Sequence, residues 1–88
     1  MLIREESTSY TGGMTTTEWI HPRSHVPVIS VLCSVAGVLG PGDATLRGPS
    51  FRCTTAEEIA DFREAINTAC DIAIAHLEEL REANTRNR

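Results

Sequence analysis

Three histidines, three cysteines and a file of carboxylates are the side chains in this 88-residue sequence whose types and spacing invite chemistry. His21 and His25 stand four apart, the spacing at which two imidazoles on one helix can share a metal. Pro22 and Pro27 lie within and beside that stretch, and each proline biases its predecessor away from helix. No Cys or carboxylate follows at ligand spacing, so no metal site is assigned. Cys70 and His76 are six apart, which puts them on different sides of a helix and forms no thiolate–imidazole pair. Cys33, Cys53 and Cys70 make an odd count without a C-x-x-C pair, so they read as small free hydrophobes in a reducing compartment. A Cys33–Cys53 bridge between neighbouring strands stays open as the alternative. Gly40-Pro41-Gly42-Asp43 fits a type II turn rather than a phosphate loop, since neither Lys-Ser/Thr nor a helix follows. No catalytic residue and no cofactor is assigned, and the chain reads as non-enzymatic.

The carboxylates Glu57, Asp61, Glu64, Asp71, Glu78 and Glu82 share one side of a helical pattern. Spread along a rod, they do not converge as calcium ligands do. They read as a solvated face, with imitation of nucleic-acid phosphates as the sharper alternative. The formal charge of −4 argues against nucleic acid as a partner, because a general binder needs a basic stripe. Arg23, Arg47 and Arg52 are the one local basic cluster, and Arg47 and Arg52, with Trp19, are candidate partner contacts.

The element that carries the carboxylates is a helix expected over Thr54–Ala83. No Gly or Pro follows Pro49 to interrupt it. Thr54/Glu57 and Thr55/Glu58 both have capping-box spacing, and Thr55 is the preferred N-cap. Ile59, Phe62, Ile66, Cys70, Ala73, Leu77 and Leu80 form its apolar seam. About 28 residues at roughly 1.5 Å give a rod of about 42 Å. A compact chain of this size has a radius of gyration near ~12 Å, hence a body about 30 Å across. The rod outruns its body, and the seam is expected to meet a second copy, making a homodimer. If His76 lies at that seam, mildly acidic pH would weaken association.

The remaining elements are short. Residues 1–14 are expected to be a polar mobile arm, residues 15–83 a single α+β domain and residues 84–88 a frayed tail. Val28–Ala36 alternates as a strand with Ile29, Val31, Cys33 and Val35 on its buried face. Ala44–Arg47 and Ser50–Cys53 form two short strands or one bent at Pro49. Thr15–Ile20 is β-prone and offers a further short strand, and Trp19 within it is read first as a plug for one end of the core. The expected fold is a small antiparallel sheet of two to three strands packed on one long C-terminal helix. The apolar run Val26–Leu39 is too short to span a membrane, and the expected location is the cytoplasm.

From Val28 to Leu80 the order of elements is strand, Gly/Pro turn, Arg47-Gly48-Pro49, Phe51-x-Cys53 and then Thr55-Ala56-Glu57-Glu58 opening an Ala-rich helix. This order resembles small proteins of actinobacteria and their phages, most of them without assigned function. The resemblance implies a phage or mobile-element accessory protein that binds or modulates a host protein. The alternatives are a structural piece of a virion and a small-molecule or nucleotide binder with its site at the oligomer seam.

Overall fold

The computed structural model describes residues 1–9, 13–35, 42–48 and 54–86. Four strands, β1 (Ile3–Ser9), β2 (Met14–Ile20), β3 (Pro27–Ser34) and β4 (Asp43–Arg47), precede one helix, α1 (Ala56–Arg86). The strands form one antiparallel sheet in the order β1-β2-β3-β4, and α1 lies over β3 and β4. The fold is α+β, with four strands instead of the expected two to three.

The extra strand is β1, inside the segment read as an arm. Its sequence, Ile-Arg-Glu-Glu-Ser-Thr-Ser, is exposed at every position and has no hydrophobic period. It is held by pairing in continuous register with β2, from Ile3 opposite Ile20 to Ser9 opposite Met14. Cross-strand partners, which a one-dimensional pattern does not contain, make this strand. Gly13 closes the hairpin at φ +60°, and a Cβ there would come within 2.8 Å of Val35 Cγ2. A residue without a side chain suits both constraints.

The second hairpin turns through His21–Val26, as the two prolines predict. His21 N donates to Val26 O (3.1 Å) and His25 N to His21 O (2.9 Å), with His25 in the left-handed region at φ 57°. His21 Nδ1 accepts from the amides of Arg23 (3.1 Å) and Ser24 (3.4 Å). That lone pair therefore serves the turn rather than a metal. Among the described residues no group of three His, Cys, Asp or Glu is placed to hold one.

Register decides the two faces of the sheet. Trp19 opposes Ile29, Thr17 opposes Val31 and Val31 opposes Leu46, so these side chains share the face toward the helix. Between Trp19 and Ile20 the register shifts by one residue. Such a bulge breaks the alternation, and Val28 and Ile29 both enter the buried cluster with Trp19, Val31 and Cys33. Strict alternation had placed Val28 on the opposite face. No described element packs on the other face, which is largely polar: Glu5, Glu18, Ser30 and Arg47 form one row across it, and Ser7, Thr16, Leu32 and Thr45 the next.

The helix begins where its caps predict. Thr55 Oγ1 accepts from Glu58 N (3.1 Å), and the Glu58 carboxylate accepts from Thr54 N and Thr54 Oγ1, each at 3.4 Å. Ile59 N to Thr55 O (3.2 Å) is the first helical bond, so Thr55 is the N-cap. The helix runs to Arg86, three residues past the expected end and through part of the expected tail. It rests on the sheet through small residues, Ala65, Ala69 and Ala73, each at most 6% exposed, flanked by Phe62, Ile66 and Ile72. Near its C-terminal half His76 Nε2 lies 2.9 Å from Ser34 O and donates to that carbonyl. The 31 residues of α1 make a rod about 46 Å long, whereas the 8 residues of β3 span only about 26 Å. The radius of gyration, 14.8 Å, and the extents, 51 × 23 × 16 Å, record that overhang.

Candidate interaction surface

The seam expected from sequence divides in two on the folded chain. Phe62 and Ala73 turn toward the sheet with Ala65 and Ala69. Ile59, Ile66, Cys70, Ile74 and Leu77 form a second file, roughly 90° round the rod at about 100° per residue. Ile59 (55%), Ile74 (54%) and Leu77 (47%) stay exposed, while Ile66, Cys70 and Leu80 are half-buried. From Ile59 to Leu77 the file runs about 27 Å.

Its direction is fixed by what the rod does on its other side. Asp61, Glu64, Ala65 and Thr68 line a cleft of about 280 Å³ with Arg4 and Trp19, which marks the side of α1 nearest β1 and β2. The apolar file lies on the opposite side and therefore above the outer edge of β4. No described strand pairs with that edge. Leu46, on the helix-facing side of β4, is itself 48% exposed. A strand edge without a partner among the described residues and an apolar helix flank thus share one border, the combination that invites another chain.

The other candidate residues take structural positions. Trp19 is 6% exposed and sits in the core, with the Arg4 guanidinium 5.7 Å from its ring centroid. A partner on that side would meet Arg4, which also donates to Glu6 Oε1 (2.7 Å). Arg47 is exposed at the end of β4 on the uncovered sheet face, and Arg23 is exposed in the second hairpin. Arg23, His21, Glu57, Glu58 and Asp61 border a polar cleft of about 340 Å³ beyond the start of α1. Arg52 and the strand expected over 50–53 lie outside the described residues, while the Cys33–Cys53 alternative is set aside because Cys33 is a free thiol. His76 is engaged with its own sheet, so it ties helix to strand within one chain instead of standing free at a dimer seam.

Cys33 and Cys70 are free thiols. Burial pushes the Cys33 thiol up from its ordinary range, and the Asp43 carboxylate adds to the shift. The folded state thus favours the neutral thiol. Its contribution to stability is complete below the ordinary thiol range and is lost as pH rises through the raised value. A protonated, buried thiol is a poor nucleophile. In native protein at pH 8, iodoacetamide is expected to modify Cys33 at least about a hundredfold more slowly than in denaturant. Peptide mass mapping reads the difference, and equal rates would show that Cys33 is not enclosed.

Sequence reading missed Asp43, Thr45 and Ile74 on this border. The signal was present in Asp43-Ala44-Thr45-Leu46-Arg47, where opposite charges close the two ends of a strand at the same parity. Among the described residues no helix is long and apolar enough to cross a membrane. Comparison with known protein families, curated proteins and solved structures gives no match.

Proposed function

We propose that this chain is a non-enzymatic protein-interaction module that works as a homodimer, an accessory factor that binds or modulates a host protein. One observation carries the reading: a file of exposed apolar side chains beside a strand edge that no described strand pairs with, on a rod longer than its sheet. Large apolar side chains already half out of water gain about half of a full burial when covered, roughly 1 kcal/mol each. The groups that sequence offered for chemistry support it as well. His21 Nδ1 holds a turn, His76 holds a carbonyl and Cys33 is kept neutral. The accessory reading rests on the resemblance of the element order from Val28 to Leu80 to small proteins of actinobacteria and their phages.

Sedimentation equilibrium is expected to give a dimer for the native chain. Ile74→Glu with Leu77→Glu is expected to weaken it by about a thousandfold, since each tenfold costs about 1.4 kcal/mol and four side chains per dimer are affected. Circular dichroism should be unchanged, because both positions are solvent-facing within one chain. A native chain that stays monomeric at millimolar concentration would remove the reading. A ring or lattice in place of a dimer would favour the virion alternative. A melting shift with nucleotides, lost in Arg47→Ala, would favour a ligand at the seam.

A further inference from the structure

The outer edge of β4 has a register of its own that fits a second copy of the same strand. Val35 N donates to Gly13 O (3.4 Å), one step beyond the Met14–Ser34 pair. Hydrogen-bonded pairs between β2 and β3 therefore use Cys33, Val31 and Ile29, and Ser34, Leu32 and Ser30 turn their backbone groups toward β4. Asp43, Thr45 and Arg47 are their partners. By the same alternation Ala44 and Leu46 aim their N–H and C=O groups outward, at the open edge.

The geometry points to a two-fold dimer in which β4 pairs antiparallel with the partner's β4 about Thr45, joining the two sheets into one of eight strands. The inference rests on the homodimer reading and specifies its contact. In this register Ala44 opposes the partner's Leu46 and Leu46 the partner's Ala44, both as hydrogen-bonded pairs, for four backbone hydrogen bonds. Thr45 meets the partner's Thr45. Asp43 meets the partner's Arg47, and Arg47 the partner's Asp43, in the closer, non-hydrogen-bonded kind of pair with Cα atoms about 4.5 Å apart. A slip of one residue loses both ion pairs, so the charges set the register. Asp43 Oδ1 already accepts from Ser34 Oγ (2.6 Å), which orients the carboxylate, and a carboxylate accepts further bonds.

The helices meet the same condition. With strands about 4.8 Å apart and α1 above β3 and β4, each rod lies about one strand spacing from the dimer axis. The two rods then stand about 10 Å apart, the upper end of the roughly 8–10 Å between packed helices. Their flanks also align. Ala65 borders the cleft with Trp19, which pairs with Ile29, and His76 reaches Ser34. Thr45 pairs with Leu32, between those two levels, so the axis passes within about one helical turn of Cys70. Ile66 is then brought beside the partner's Ile74, and Cys70 near the partner's Cys70.

The test measures dimer dissociation by sedimentation for the native chain, Asp43→Arg, Arg47→Asp and the double exchange. Each single change sets like charges opposite each other twice and is expected to weaken the dimer about tenfold. The double exchange restores both ion pairs and is expected to lie within about threefold of native. A short bis-maleimide in a Cys53→Ser background is expected to link native dimers and to fail in Cys70→Ser, a readout that survives if Asp43→Arg disturbs the hairpin. A stable native dimer indifferent to the exchanges, or one that the reagent does not link, overturns the β4 register and leaves dimerisation standing. A native monomer overturns both.

Discussion

Trp19→Ala is expected to cost about 3–5 kcal/mol, the range for emptying a large aromatic site in a core. Trp19 is 6% exposed and packs with Ile29 and Val31 at the level where Arg4 closes over its ring. The whole stability of so small a domain is only about 5–10 kcal/mol. One substitution thus removes between a third of it and all of it. For a domain of this size each kcal/mol moves the melting midpoint by roughly 4–8 °C, so the fall should be about 12–40 °C. Circular dichroism melts at one fixed protomer concentration check this, because the proposed dimer would make the midpoint concentration-dependent. Trp19→Phe keeps most of the volume and should retain most of the stability. A fall under about 5 °C for Trp19→Ala would mean that Trp19 is not part of the core.

Ala69→Leu is expected to destabilise by about 1–3 kcal/mol, although it raises the hydrophobicity of the helix. Ala69 is 1% exposed between the rod and the sheet, with Ala65 and Ala73 one turn to either side. Three added carbons there must lift the rod or force side chains off their rotamers. Leu77→Ala, which removes a larger apolar group from the exposed flank, should change the stability of one chain by less than about 0.5 kcal/mol. Under the proposed dimer its effect falls on association. Urea titrations under dissociating, dilute conditions compare the two. Were Leu77→Ala the costlier change there, the flank would be covered by its own chain.

These two substitutions invert a ranking by hydropathy, and that inversion separates what the residues show from what the fold adds. The long helix was legible because its signals are local: a Thr cap with Glu three residues on, acidic residues in the first turn, and no Gly or Pro after Pro49. The strand Pro27–Ser34 was legible through its alternation, and the turn at Pro22 through the chemistry of proline. The strand Ile3–Ser9 was not legible, because its residues are polar on both faces and its stability resides in its pairing with β2. The division of one apolar seam into a buried Ala file and an exposed Ile/Leu flank was hidden too. Helical periodicity shows that apolar residues share a side but does not tell which of them can approach a sheet closely.

The sequence by itself determined the helix, its start and a length greater than one small domain can cover, all consequences of bonds within a few residues of each other. Only the tertiary structure decided that small side chains face the sheet, that His76 is tied to Ser34, and that the apolar flank stands over the outer edge of β4. Those outcomes depend on register and on the close approach of elements far apart in the chain, where steric fit decides which apolar residues are buried.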